Sequence, residues 1–352
     1  MTPQKRTIVL AGGGTLGSVT PLLALIEAAR EASTHDQEQF VWMGTFSGPE
    51  HDIVATYKVP FYKIICGKLR RYWSIYNFIS PFLTLFGFVQ ALFLLSFIRP
   101  ALVVSAGGYV AVPVAWAAWC LRISVLVHEQ DSRDGLANKL VRFTASKRTS
   151  VWPKEGAETI GNLIRPSSYG GTKESLLKRF AFSPSIPILL VTGGGTGSLA
   201  LNNIVIEALP ALTLKAYVIH LTGRGKLRTD IRNERYRAID LSIADWPDIN
   251  RAADVVITRA GMANLSEAAA LKKATIVVPI PHSHQEDNAA VLEKHSAAVI
   301  CNQEKLTADA LVHTVTDLLD NPEHRLEMGE RLHALIPDGT QFFLAIVRKL
   351  IT

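Results

Sequence analysis

The stretch Thr7-Ile8-Val9-Leu10-Ala11-Gly12-Gly13-Gly14-Thr15-Leu16-Gly17-Ser18 decides the fold, because it returns as Ile188-Leu189-Leu190-Val191-Thr192-Gly193-Gly194-Gly195-Thr196-Gly197-Ser198. Each copy opens on an unbroken apolar run, the pattern of a strand buried on both faces. A Gly-rich turn follows, and then a helix. Glycine lets the backbone approach a ligand closely, and a helix start offers unpaired N–H groups with partial positive charge. A diphosphate needs both. One such turn often serves only close packing, so the reading rests on the pair: two domains, each able to hold a phosphorylated partner. The first copy satisfies Gly12-x-Gly14-x-x-Gly17, but no acidic residue closes the next strand, since Val41-Trp42-Met43 ends on Gly44. Neither turn is followed by Lys-Ser/Thr, which excludes the Walker loop.

Bulk properties agree. A length of 352 residues suits two domains of about 150 each. The chain is 48% hydrophobic and 19% charged, enough for sizeable cores. A net charge of +6 suits a nucleotide, a diphosphate or an anionic membrane surface. Nucleic acid is not an expected partner, because no long Lys/Arg run occurs. Cys66, Cys120 and Cys301 are too few and too far apart for a disulfide framework or a zinc site, which points to a reducing cytoplasm. No signal peptide is expected before the first strand.

Strands are expected at 7–11, 40–43, 102–105 and 124–128 in the first half, and at 188–192, 216–221, 255–258 and 275–279 in the second. Helices follow Pro21 and Pro113 and cover 199–209, 263–271 and 287–295. This alternation predicts parallel-sheet α/β domains. The turn chemistry of 161–171 marks the linker. Expected domains are therefore 1–163 and 164–337, with an amphipathic helix in 338–352 packing back on the first.

The apolar segment 76–98 approaches the length of a transmembrane span, about 20 residues, but Pro81, Gly87 and Gln90 interrupt it. It also sits where a crossover helix between two strands of one sheet belongs. Buried crossover, membrane span and a helix whose outer face dips into lipid are all open, and the last is the reading taken. Lys68, Arg70, Arg71, Tyr72 and Trp73 just upstream have the composition of a peripheral membrane contact.

Further clusters lie where strands end. Gly107-Gly108-Tyr109 and His128-Glu129-Gln130-Asp131 follow apolar strands. Asp131 is a candidate general base, and His128 is a candidate catalytic group or a hydrogen-bonded structural histidine. Around Gly261 a strand turns into a helix carrying Ser266 and Glu267, and a carboxylate there can accept from two vicinal ribose hydroxyls. His282-Ser283-His284-Gln285-Glu286-Asp287-Asn288 follows another strand; His282 and His284 have no further ligand at zinc-like spacing, so no metal is expected.

Taken together, these residues resemble the MurG family, the UDP-N-acetylglucosamine:undecaprenyl-diphosphate-muramoyl-pentapeptide N-acetylglucosaminyltransferases of glycosyltransferase family 28. The resemblance spans Gly13-Gly14-Thr15 with Pro21, Gly107-Gly108-Tyr109, His128-Glu129-Gln130, Gly161-Asn162 with Arg165, Gly193-Gly194, Ala253-Asp254-Val255-Val256, Arg259 with Gly261, Ser266-Glu267, and Gln285 with Asn288-Ala289. It implies a GT-B fold, with two Rossmann-like parallel-sheet domains facing across a cleft. It implies inverting transfer of N-acetylglucosamine from UDP-GlcNAc to the undecaprenyl-linked acceptor lipid I, forming lipid II, with no cofactor and no fixed metal. By resemblance the second domain holds the UDP-sugar. Ile243 would meet the uracil and Glu267 the ribose. Gly195 with its loop and Met262, Ala263, Asn264 and Leu265 would cradle the diphosphate. Gln285 would meet the sugar and Arg165 would reach the nucleotide, with Thr196, Ser266 and Asn288 as further substrate-binding residues. Thr15, Leu16, Gly17, Tyr109 and Asp131 would face the acceptor, and Ser18 and His128 join Asp131 as catalytic candidates. The implied location is the cytoplasmic side of the cell membrane, peripheral, in contact with other cell-wall synthesis proteins.

The sequence departs from that family at Leu16, Ser18, Asp131 and Gly195-Thr196, where Gly, His, Asn and Ser-Gln are usual. Ser18 removes a candidate base, and Asp131 is expected to take part of that role. The same departures leave open a related glycolipid transferase with another acceptor, a UDP-N-acetylglucosamine 2-epimerase, and a catalytically weak binding subunit.

Overall fold

The computed structural model describes residues 6–32, 38–69, 75–195, 197–240 and 245–352. The chain forms two compact units: Met1–Arg165 together with Asp338–Thr352, and Pro166–Pro337.

The first unit is built on a seven-stranded sheet of order β3-β2-β1-β4-β5-β6-β7. Its strands are β1 (Arg6–Ala11), β2 (Glu38–Gly44), β3 (Phe61–Lys63), β4 (Leu102–Ser105), β5 (Ser124–Glu129), β6 (Lys147–Ser150) and β7 (Glu158–Thr159), and all neighbours pair in parallel. Helices cover both faces, which is why β1 reads as an apolar run with no alternation. Ile8 and Leu10 point into one core layer, against α1 (Thr20–Ala32) and α13 (Thr340–Ile351). Val9 and Ala11 point into the other, against α3 (Tyr76–Ile98) and α4 (Ala111–Cys120).

The second unit repeats the plan with six parallel strands, order β10-β9-β8-β11-β12-β13. These are β8 (Ile188–Thr192), β9 (Tyr217–Leu221), β10 (Tyr236–Ile239), β11 (Val255–Thr258), β12 (Ala274–Val277) and β13 (Val299–Ile300). One face packs on α7 (Leu199–Lys215) and α11 (Ala308–Asp320), the other on α6 (Lys173–Phe180) and α8 (Trp246–Ala252). The expected α/β class, two parallel-sheet Rossmann-like domains, is what the chain forms. The strand order reverses between β1 and β4 in the first unit and between β8 and β11 in the second. Such switch points open a crevice at the carboxyl ends of the strands, where ligands of doubly wound sheets bind.

The apolar segment 76–98 is α3, which joins β3 to β4 of a single sheet and packs on α4. It is long and apolar enough to cross a membrane, with mean hydropathy 2.0 and 22% of its span buried. Ala91 and Leu95 face the core, and Gln90 accepts from Ile65 N–H at 3.0 Å while donating to the Lys63 carbonyl at 2.8 Å. The polar residue that interrupts the apolar run thus faces unit 1. Phe78, Phe82, Leu85, Phe86, Val89, Phe93 and Phe97 are exposed, Phe82 by 74% and Phe97 by 82%. Their spacing of three and four residues puts them on one helical face. Arg70, Arg71, Tyr72 and Trp73 lie outside the described residues.

Candidate functional site

In the first unit three strand-end segments converge at the β1/β4 switch point. The turn after β1 runs from Gly12 to a single 3-10 turn at Leu16–Ser18 and then into α1. Gly14 has φ +85°, and a Cβ there would lie 2.2 Å from Cε1 of Tyr109, so the tyrosine ring lies on a side-chain-free turn. Gly108, after β4, packs on the Gly13 carbonyl, 2.7 Å from where its Cβ would be. From β5, Gln130 donates to the carbonyls of Gly17 at 2.9 Å and Ala106 at 3.2 Å, tying the turn to both strands. Thr15 and Gly17 are exposed, and Leu16 and Tyr109 half-buried.

Two of the catalytic candidates are enclosed by their surroundings. Ser18 is buried, and its hydroxyl reaches the carbonyls of Gly13 (3.3 Å) and Thr15 (3.2 Å). It braces the turn rather than facing a substrate. His128 is wholly buried, with Nδ1 3.0 Å from Thr149 Oγ1 and Nε2 3.1 Å from Asn162 Oδ1. Burial, helped by the nearby Lys154 charge and opposed by the Asn162 bond, lowers its pKa to about 4. It is a neutral strut between β5, β6 and the chain at Asn162.

Asp131 follows β5 and is half-buried. The loop that carries it is held by an ionic network absent from the sequence reading. Glu129, buried, takes Arg148 Nη2 at 2.8 Å and Lys154 Nζ at 3.3 Å. Lys154 also pairs with Asp134 and donates to the Asp131 carbonyl at 2.8 Å. Buried charges persist only when paired in this way. Arg165, half-buried, closes the first unit and hydrogen-bonds Tyr57.

The second unit places its turn at the β8/β11 switch point. Gly194 has φ +83°, and its N–H donates to Thr192 Oγ1 at 3.2 Å. Ser198 caps α7, accepting from Leu201 N–H at 3.3 Å, and is also bonded by Arg259. That buried arginine donates to the carbonyls of Val278 (2.8 Å) and Pro279 (3.2 Å), linking the ends of β8, β11 and β12. Gly195 is exposed. Thr196 and Ile243 lie outside the described residues.

After β11, Gly261 precedes α9 (Met262–Ala270), so Met262, Ala263 and Asn264 form its first turn at the same switch point. Asn264 donates to Thr258 Oγ1 at 3.0 Å. Met262, Leu265 and Ser266 are buried. Glu267 is nearly buried, and its carboxylate accepts from Ser168 Oγ at 2.7 Å and Trp246 Nε1 at 2.5 Å. Neither donor was foreseen from the sequence. After β12, Gln285 lies at the start of α10 (His284–Lys294), where its Oε1 accepts from Ile280 N–H at 3.2 Å. Buried Asn288 donates to the Ala260 carbonyl at 3.1 Å, so it holds the Gly261 turn. Among the described residues no group of three or more His, Cys, Asp or Glu is placed to hold a metal.

Comparison with known proteins agrees with this geometry. A model of the glycosyltransferase family 28 N-terminal domain matches residues 8–150, and one of the family's C-terminal domain matches residues 188–341. The chain is 35% identical over 334 residues to the UDP-N-acetylglucosamine--N-acetylmuramyl-(pentapeptide) pyrophosphoryl-undecaprenol N-acetylglucosamine transferase of Lachnoclostridium phytofermentans, covering 92% of this chain and 93% of the relative. The protein of that name from Legionella pneumophila strain Paris is 34% identical over 358 residues, 97% of this chain and 96% of that one. The crystal structure of Acinetobacter baumannii MurG superposes with a TM-score of 0.73 at 24% identity, covering 99% of this chain and all of that one. Two Gly-turn α/β units in one chain, each matched by its own domain of a single family, make this protein a glycosyltransferase that belongs to glycosyltransferase family 28.

Proposed function

We propose that this enzyme transfers N-acetylglucosamine from UDP-N-acetylglucosamine to an undecaprenyl-diphosphate-linked muramoyl peptide, with inversion at the anomeric carbon. The observation that carries the reading is the pair of Gly-rich turns at the switch points of two α/β units, in a chain that matches transferases so named over nearly its whole length.

In this reading the second unit takes the donor. The turn at Gly195 and the α9 N-terminus, Met262 to Leu265, surround the diphosphate. Two helix starts with partial positive charge stabilise the departing UDP. Glu267, held by Ser168 and Trp246, meets the ribose hydroxyls, and Gln285 meets the sugar. The first unit takes the acceptor at Thr15, Leu16, Gly17 and Tyr109. Asp131 serves as base for the acceptor hydroxyl, its loop fixed by Lys154. The apolar face of α3 rests in the cytoplasmic leaflet, where a lipid-linked acceptor is anchored.

The test is UDP release from UDP-N-acetylglucosamine with and without a short-chain lipid I analogue. Release only when acceptor is present is expected. Conversion of the sugar nucleotide alone would instead indicate an epimerase. Asp131→Asn should lower turnover on the order of 100-fold, the size of a general-base contribution; turnover equal to wild type would remove Asp131 from the mechanism.

A further inference from the structure

We propose that Glu50 is a positioning residue for the acceptor half-site: its buried carboxylate fixes Gly14 and, through Thr45, the Tyr109 hydroxyl at the β1/β4 switch point. The proposal rests on the reading of unit 1 as the acceptor unit.

Glu50 opens α2 (Glu50–Thr56) and is 0% exposed. A carboxylate in that setting persists only where donors surround it. Oε2 accepts from Gly14 N–H at 3.1 Å. Oε1 accepts from Thr45 N–H at 2.7 Å and from the Thr45 hydroxyl at 2.5 Å. Thr45 Oγ1 in turn accepts from Gly48 N–H at 2.9 Å and is hydrogen-bonded to Tyr109. Thr45 therefore links Glu50 to Tyr109, whose ring lies over Gly14.

The packing is built around this carboxyl. A Cβ on Gly13 would lie 2.2 Å from Oε1, and one on Gly48 only 1.9 Å from Oε2. Both positions lack a side chain where the carboxyl fills the space. A further consequence concerns the turn itself. Gly14 N–H points inward at Glu50, so it is not offered to a diphosphate. The first Gly turn is thus braced from beneath by a carboxylate, and it presents Thr15, Leu16 and Gly17 beside Tyr109.

The test uses the full chain with UDP-N-acetylglucosamine and the short-chain lipid I analogue. E50Q keeps the shape but sets an NH2 group against an N–H donor. G48A displaces the carboxyl without removing it. Both are expected to lower kcat/KM for the acceptor on the order of 100-fold, the cost of a small misplacement, with KM for the UDP-sugar unchanged. Y109F is expected to be impaired, and E50Q/Y109F no worse than the poorer single variant, because the two act as one unit. D52N, on the exposed side of α2, is expected to match wild type. Hydrogen exchange at Gly14 is expected to quicken in E50Q and G48A. The proposal is overturned if E50Q keeps wild-type acceptor kinetics, if its acceptor and donor parameters worsen equally alongside a lowered melting point, or if the double variant is additive. If wild type releases no UDP on acceptor addition, the acceptor reading fails by itself. Gly14 exchange then still decides the clasp, and unchanged exchange in E50Q overturns it.

Discussion

The imidazole of His128 stands edge-on to the ring of Phe343, with centroids 5.6 Å apart and planes at 72°. The two residues are 215 positions apart in the chain, and their contact seats the last helix inside the core of the first unit. Around it the Thr340 hydroxyl donates to the Ile164 carbonyl at 3.0 Å and accepts from Ile164 N–H at 2.8 Å. Arg348 reaches Glu38 at 2.7 Å. The first unit is therefore incomplete until the end of the chain has been made.

Phe343→Ala is expected to destabilise that unit by about 3–5 kcal/mol, the usual cost of emptying a buried aromatic site. At roughly 2–4 °C per kcal/mol for a unit of this size, its melting point should fall by about 6–20 °C. Calorimetry should show only one transition shifted, with UDP binding retained. Equal shifts of two transitions would contradict the assignment of α13 to unit 1 alone.

Much of this arrangement is legible in the residues themselves. The apolar runs at 7–11 and 188–192 are strands because helices cover both sheet faces, and the sequence shows that as missing alternation. The short strands β3, β7 and β13 at the sheet edges, and polar β6, carry too little pattern to be read. They form because a neighbouring strand offers a ladder. The helix after Ser198 runs through Pro210 to Lys215, six residues beyond the expected end at 209. At the switch points, Gly spacing marked the turns but not which side chains face inward. Ser18 and His128 looked chemical in one dimension and are buried in three. Glu50 went unseen because its partners are backbone N–H groups and a threonine. Its one local signal is Pro49-Glu50-His51-Asp52, a proline and two acids at a helix start.

Stability should fall on mild acidification, and the sign follows from two histidines. Burial lowers His128 in the first unit and His220 in the second to about 4, against an ordinary 6.5. Between those values the unfolded chain binds protons that the folded chain refuses. The stability that neutral imidazole contributes is complete above pH 6.5 and is lost as pH falls toward 4, about 3 kcal/mol per histidine across the window. Urea unfolding of wild type and His128→Gln at pH 7.5 and 4.5 isolates one of them. The gap between the two proteins should narrow at the lower pH. A gap that stays constant would mean that His128 is not held neutral.

Glu267 is oriented by two side chains, and removing one should weaken donor binding without touching the acceptor. A hydrogen bond to a charged group contributes about 1.5–3 kcal/mol. Ser168→Ala is thus expected to raise KM for UDP-N-acetylglucosamine by about 10- to 100-fold while leaving the acceptor KM in place. Glu267→Ala should do at least as much. Steady-state kinetics with each substrate varied in turn makes the comparison. An unchanged donor KM in Glu267→Ala would remove the carboxylate from the ribose site.

The apolar side chains exposed along α3 make membrane attachment a quantitative expectation. Burying a phenylalanine fully is favourable by about 1.5–3 kcal/mol. Phe82, Phe86 and Phe93 lie on one exposed face of a helix whose opposite side is fixed to unit 1 through Ala91 and Leu95. Changing those three phenylalanines to serine should therefore leave the fold intact and weaken binding to lipid vesicles more than 100-fold, since even the lower bound of about 4.5 kcal/mol exceeds two tenfold steps. The basic residues Lys68, Arg70 and Arg71 precede this helix, so anionic vesicles should bind better than neutral ones, and salt should remove that preference but not the apolar part. Co-sedimentation with both vesicle types, at low and high salt, separates the contributions. A triple variant that sediments like wild type would show that α3 is not the surface that meets lipid.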